Sequence, residues 1–161
     1  MNRLEAVRGI VDGILQSIPD LEARRCAFVH LYGVSMTAVM LADSRGLDSD
    51  LAAVSGMLHD LATYESGDPT DHGPRSAERA VQILRQAGGF SDAEMTVVQS
   101  CIAHHSDKAS VHGAFEELLK DADVLQHYLY DPLQDAQPTH RDRRRRLVRT
   151  GMSRSSPESP S

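Results

Sequence analysis

The sequence predicts an all-α protein with one domain, a bundle of about six helices followed by a disordered C-terminal segment. Three observations lead to this prediction. The chain has 161 residues, which is enough for one sizeable core. Its apolar residues recur at helical spacing, and no run alternates apolar and polar residues for long enough to form a strand. Its composition, 40% hydrophobic and 25% charged, is typical of folded soluble proteins.

The first three predicted helices begin and end at residues that favour helix termini. Helix one, over Arg3–Ser17, carries its apolar residues along one face and ends before the Pro-Asp pair at 19–20. Asp20 can cap helix two, over Leu21–Arg45, which ends at a glycine suited to a left-handed conformation. Helix three is expected over Leu51–Tyr64, capped by Asp48 or Asp50.

Turn-rich segments separate the last three predicted helices. The stretch ESGDPTDHG, residues 65–73, contains turn residues throughout and leads to helix four over Pro74–Gln86. Ser91 starts the sequence S-D-A-E, a capping box for helix five over Asp92–His105. A second loop precedes helix six, which we expect over Ala114–Tyr130.

Charge divides the chain into an acidic body and a basic end. Residues 1–137 hold 10 Lys+Arg and 21 Asp+Glu, a net charge of −11, whereas residues 138–161 hold 7 Arg and 2 acidic residues, a net charge of +5. An acidic body argues against a nucleic-acid polymer as a ligand of the fold, because a phosphate backbone requires a basic face. Since the basic end is also rich in Ser and Pro, we predict a domain over 1–137 and a solvated, disordered segment over 138–161.

Cysteine usage and hydropathy indicate a cytoplasmic protein with no membrane span. Cys26 and Cys101 each lie within an apolar helical pattern, so a disulfide framework is not expected and a reducing compartment is. No continuous apolar run approaches the roughly 20 residues that span a bilayer. The first 16 residues contain two acidic residues and no continuous apolar segment, unlike a signal peptide.

The strongest chemical signal is an excess of histidine, with eight residues against seven Phe and Tyr. Residues 51–58, LAAVSGML, are uncharged and are followed directly by His59 and Asp60, with no Lys or Arg within a helical turn. A buried carboxylate there costs several kcal/mol unless a cation compensates it. A metal ion would supply that charge; the alternative is that this helix end is exposed to solvent.

Further histidines and aspartates extend this pattern to other predicted helices. His30 lies on the small apolar face of helix two, where a lone histidine is usually a hydrogen-bonded core residue. Taken together, imidazoles and carboxylates from several helices are how helical bundles build metal centres, and the lack of thiolate partners argues against structural zinc. The ordered set is His30, His59, Asp60, His72, His104, His105 and Asp123, whereas His112, His127 and His140 have no assigned chemistry.

From about Phe28 to Tyr130 the chain resembles the HD-domain superfamily of metal-dependent phosphohydrolases. The motifs that carry the resemblance are F-V-H at His30, G-M-L-H-D-L at His59 and Asp60, D-H-G-P-R-S-A at His72, C-I-A-H-H-S-D-K at His104 and His105, and L-K-D-A-D-V-L at Asp123. The chain is also similar to small, stand-alone bacterial HD proteins that carry the sequence HHSDK.

The resemblance implies a set of ligands for one or two divalent ions, of Mn, Fe, Co, Ni, Mg or Zn. His30, His59, Asp60 and Asp123 would hold the first ion. Asp60 would bridge to a second ion held by His72 and His104, and His105 would either ligate that ion or contact the substrate phosphate. The chain departs from the pattern in its short spacing between Asp60 and His72, and in having Thr63 where many relatives have a basic residue.

The function that this resemblance implies is hydrolysis of a phosphate ester or phosphoanhydride in a small phosphorylated metabolite or nucleotide. Asp60, His105 and Lys108 are the expected catalytic residues, with His105 and Lys108 neutralising phosphate charge. One alternative is a di-iron HD-domain oxygenase, and another is a module that binds a metal or nucleotide without turnover. A third is a structural protein that recruits a partner through the arginines at 143–146. The sequence marks neither the substrate nor the oligomeric state.

Overall fold

The computed structural model describes residues 2–133 and 137–149, which contain eight helices and no strand. The all-α class is therefore confirmed. The helices are α1 (Arg3–Gln16), α2 (Leu21–Arg45), α3 (Ser49–Leu58), α4 (Leu61–Ser66), α5 (His72–Ala87), α6 (Asp92–His104), α7 (Ala114–Tyr130) and α8 (Pro138–Arg149).

The predicted cap residues set several of these boundaries. The side chains of Asp20 and Asp48 each accept a hydrogen bond from a backbone N–H in the first turn of α2 and α3. Ser91 and Glu94 form both bonds of a capping box at the start of α6. Gly46 ends α2 with a φ of 66°, a left-handed conformation that favours glycine.

The long third helix that the sequence predicts is two helices in the structure. α3 ends at Leu58 and α4 begins at Leu61, and Asp60 between them has φ −116° and ψ 10°, outside the helical region. Successive side chains on a straight helix point about 100° apart. Because the backbone breaks here, the side chains of His59 and Asp60 turn toward one another, with His59 Nε2 3.3 Å from Asp60 Oδ2.

α2 lies at the centre of the bundle, with α3 and α7 packed along it. By length and composition it is the one helix, within the described residues, that could cross a membrane, although no unbroken apolar run of that length was expected. Half of the most apolar 18-residue stretch of α2 is buried inside the protein, and helices of protein cores often have this length and composition. α3 approaches so closely that a Cβ on Gly56 would lie 2.7 Å from the backbone of Ser35 in α2.

The basic segment after residue 137 forms a helix that packs on α7. Arg143 is only 3% exposed, and its Nη1 donates hydrogen bonds to Glu117 Oε2 at 2.9 Å and to Asp121 Oδ1 at 2.8 Å. Leu147, one turn further along, is buried in the core. The predicted disorder is therefore wrong for residues 138–149, because two acidic side chains on α7 bury this arginine; residues 150–161 lie outside the described residues.

A buried lysine on α7 fixes the loop between α6 and α7. The Lys120 side chain is fully buried, and its Nζ donates to Ser110 O at 2.9 Å and to Glu117 Oε1 at 2.8 Å. Burial on its own would raise the pKa of Glu117, but hydrogen bonds from Lys120, from the His112 backbone and from Arg143 lower it to about 2. The loop that carries Lys108 is thereby tied to α7.

Candidate metal centre

Four side chains from three parts of the fold converge in the middle of the bundle. His30 comes from the middle of α2, His59 and Asp60 from the break between α3 and α4, and Asp123 from α7. We call these four residues the inner cluster. His30 Nε2 lies 3.1 Å from His59 Nε2, 3.3 Å from Asp60 Oδ2 and 3.5 Å from Asp123 Oδ1.

The hydrogen bonds of the two inner histidines determine which ring nitrogen carries the proton. His30 Nδ1 lies 2.8 Å from the amide oxygen of Gln126, and His59 Nδ1 lies 2.8 Å from the carbonyl oxygen of Gly56. Because a carbonyl oxygen only accepts, each Nδ1 must donate, which in a neutral ring leaves a lone pair on Nε2. Two Nε2 lone pairs therefore face one another beside two carboxylates.

This donor set fits a divalent cation. Asp123 Oδ1 is buried and has no hydrogen-bond partner among the described residues, although it points at the histidines of the inner cluster. A cation would pair this oxygen and separate the two facing lone pairs. Neutral imidazoles held through Nδ1, together with carboxylates, are ligands typical of first-row divalent metals.

A second group of ligands lies on the other side of Asp60. His105 Nε2 is 3.1 Å and His72 Nε2 is 3.7 Å from Asp60 Oδ1, whereas Oδ2 of the same carboxylate faces the inner cluster. Both histidines have Nδ1 against a backbone carbonyl, that of Ile102 for His105 and that of Pro69 for His72. Asp60, His72 and His105, which we call the second cluster, could hold another ion with Asp60 between the two.

His104 does not reach either cluster, which corrects the expectation that it ligates the second ion. Its side chain is exposed, its Nδ1 donates to Ser100 O at 2.9 Å, and its ring stacks on His112 with centroids 4.4 Å apart. His105 takes the place beside His72 instead. The physical reason is that adjacent residues at a helix end point in different directions, so only one of the pair faces the interior.

Lys108 lies against the inner cluster, although the loop that carries it is at the surface. Its Nζ is 2.7 Å from Asp123 Oδ2 and also donates to His105 O at 2.9 Å. The side chains of Lys108 and Asp123 are only 7% and 8% exposed. Lys108 therefore neutralises Asp123 and leaves only Oδ1 of that carboxylate available to a ligand.

Both carboxylates of the inner cluster are held in the ionised form. Burial on its own would raise the pKa of Asp60, but the neighbouring imidazoles, that of His59 first and then that of His105, lower it well below its usual range. Burial would likewise raise the pKa of Asp123, but the charge of Lys108 lowers it strongly. Burial lowers the pKa of His30, and the two aspartates more than offset this and raise it.

The structure also brings in residues that the sequence did not single out. His127 Nε2 lies 3.3 Å from Asp123 Oδ1, and Gln126 fixes the tautomer of His30. The spacing D-x-x-x-H is a signal that could have identified His127, because it places both side chains on one helix face. His140, on α8, is near enough to Lys108 for the two groups to interact electrostatically. Burial lowers the pKa of His140, and the charge of Lys108 lowers it further.

A cavity of about 210 Å³ opens beside His30, between α2, α4 and the end of α7. His30, Gln126 and His127 line it on the side of the metal centre, and Tyr64 and Tyr130 supply aromatic surface. A small molecule in this cavity would therefore lie beside His30 of the inner cluster, His127 and an apolar wall.

Comparison with known proteins supports this interpretation at the level of the family. The family model for the HD domain matches residues 27–143, a range that contains both clusters and extends into α8. Comparisons with curated proteins and with solved structures gave no significant match. Since the family match covers most of the chain, this protein belongs to the HD-domain family, whose members are generally metal-dependent hydrolases.

Proposed function

We propose that this protein is a metal-dependent phosphohydrolase that cleaves a phosphate ester or phosphoanhydride of a small metabolite or nucleotide. The observation that carries the proposal is the pair of Nε2 lone pairs on His30 and His59, which meet the ionised Asp60 and Asp123 beside an open cavity. A divalent ion bound there supplies positive charge to phosphoryl oxygens and lowers the pKa of a coordinated water from about 15.7 towards about 7.

The residues of the chain contribute orientation and charge to this reaction. Gln126 and Gly56 hold the imidazoles of His30 and His59 with Nε2 toward the centre, so that little reorganisation accompanies ligand binding. Lys108 and His105 are the groups that we assign to the substrate phosphate. They are linked, because Lys108 Nζ donates to His105 O.

The size and polarity of the surroundings favour a small substrate over a polymer. The cavity of about 210 Å³ is partly lined by two tyrosines, and the acidic body of the protein disfavours a nucleic-acid backbone. The family is generally soluble, and we place the protein in the cytoplasm, where its two free cysteines would stay reduced.

A second candidate function, a di-iron oxygenase, is favoured by one specific observation. Asp60 presents one oxygen to each cluster, an arrangement that suits two adjacent ions. This candidate predicts two equivalents of iron per chain, substrate-dependent consumption of O₂ and no phosphatase activity. A binding module without catalysis predicts bound metal and no turnover of any substrate.

The test combines elemental analysis of the purified protein with a panel of phosphorylated metabolites, assayed with Mn, Fe, Co, Ni, Mg and Zn in turn. We expect at least one ion per chain and metal-dependent release of phosphate. His59→Ala and Asp60→Ala should lose both, whereas His104→Ala, an exposed histidine outside both clusters, should lose neither. Phosphatase activity retained by Asp60→Ala with metal still bound would show that the assignment of this site is wrong.

A further inference from the structure

One histidine outside the family motifs lies beside the inner cluster on its cavity side. His127 follows Asp123 by one turn of α7, and its Nε2 is 3.3 Å from Asp123 Oδ1. Its ring centroid lies 4.7 Å from that of His30. The side chain of His127 is 49% exposed and lines the cavity, so that it lies between solvent and the buried ligands.

The two oxygens of the Asp123 carboxylate have different surroundings. Oδ2 is occupied by Lys108, whereas Oδ1 is buried and has no hydrogen-bond partner among the described residues. Oδ1 lies between two imidazole nitrogens, His30 Nε2 at 3.5 Å and His127 Nε2 at 3.3 Å. Ligand atoms of these three residues all lie within 4.8 Å of one another.

We propose that His127 is a further metal ligand, which acts with His30 and Asp123 on the cavity side of the inner cluster. Because His30 and Asp123 belong to both groups, His127 adds a third imidazole to the histidine pair of the inner cluster. This enrichment in imidazole favours ions such as Co²⁺ and Zn²⁺ over Mg²⁺, which prefers oxygen ligands. The proposal rests on the metal centre proposed above and not on the reaction or its substrate.

The test is a titration of the 161-residue chain with Co²⁺. The d–d absorption reports the ligand set, and competition with a chromophoric chelator reports the affinity. We compare the wild type, His127→Ala and the matched variant His104→Ala, which removes another exposed histidine outside both clusters. His127→Ala should weaken Co²⁺ binding by about tenfold or more and change the absorption spectrum. His104→Ala should leave affinity and spectrum unchanged.

The possible failures are distinguishable. If the wild type binds no Co²⁺, the metal centre itself is wrong. If the wild type binds Co²⁺ and His127→Ala has the same affinity and spectrum, only the role of His127 is wrong. Circular dichroism of each variant checks that the helices remain folded.

Discussion

Removal of the Lys108 ammonium should destabilise the metal-free protein far more than the metal-loaded protein. Lys108 Nζ lies 2.7 Å from Asp123 Oδ2, and both side chains are more than nine-tenths buried. Lys108→Met retains a similar apolar stem and removes the charge. In the metal-free variant Asp123 then keeps a buried negative charge that no lysine compensates.

The magnitude follows from the burial of this pair. Removing one partner of a buried ion pair costs about 3–5 kcal/mol, because the other charge is left uncompensated. With metal bound, the ion itself compensates Asp123, and the loss falls toward that of one hydrogen bond, about 1 kcal/mol. The difference is about 2 kcal/mol or more, which by linkage makes Lys108→Met bind the metal about thirtyfold more tightly than the wild type.

The assay is urea unfolding of each protein in EDTA and again at saturating metal, combined with a direct titration of the metal. Lys120→Met is the matched control, because Lys120 is equally buried but pairs with Glu117, outside both clusters. It should lower the free energy of unfolding by the same amount with and without metal. Equal losses for Lys108→Met in the two conditions, or weaker metal binding than in the wild type, would refute the reasoning.

Three further predictions concern the fold around the site. Arg143→Ala should lower the free energy of unfolding by about 3 kcal/mol, since it leaves the buried Asp121 and the partly buried Glu117 short of a partner. Arg145→Ala, at an exposed position, should change it by less than about 0.5 kcal/mol in the same urea titration. Gly56→Ala should lower the free energy of unfolding by about 1–3 kcal/mol, because its Cβ would lie 2.7 Å from the backbone of α2. The control Gly13→Ala, whose Cβ has nothing within 4 Å, should raise the free energy of unfolding by about 0.5–1 kcal/mol by stabilising α1. A shift of the unfolding temperature in the same direction for both variants would contradict this. On folding, the pKa of Glu117 falls from 4.5 to about 2. The stability that ionised Glu117 contributes is therefore complete above pH 4.5 and is lost as the pH falls to about 2. In acid titrations over this interval, Glu117→Gln should accordingly lose less stability than the wild type.

Local signals in the sequence predicted the helix ends well, because capping is a local interaction. Asp20, Gly46 and Ser91 act within one turn of their own helices, and each is found in the predicted role. The break at Asp60 was not predicted, since residues 51–64 contain neither Pro nor a turn signal after the apolar run. It becomes understandable only when His59 and Asp60 are seen to face the same cluster.

The choice between neighbouring histidines also required the packed structure. A sequence cannot distinguish His104 from His105, because both end the same helix and either could face inward. The packing of α6 points His105 toward Asp60 and leaves His104 exposed against His112. His127 lies outside the motifs that the sequence singled out, and its position one turn after Asp123 places it beside that carboxylate.

The sequence by itself determined the class of the fold and the chemical types of the candidate ligands, because helical periodicity, caps and the His and Asp motifs are properties of short segments. Tertiary structure alone decided which side chains meet and which part of the basic end belongs to the bundle. Arg143 illustrates the reason: its partners Glu117 and Asp121 lie 26 and 22 residues earlier. A run of arginines is typical of a solvated segment when only composition is considered, and one member of it is buried in the bundle where acidic partners on another helix compensate its charge.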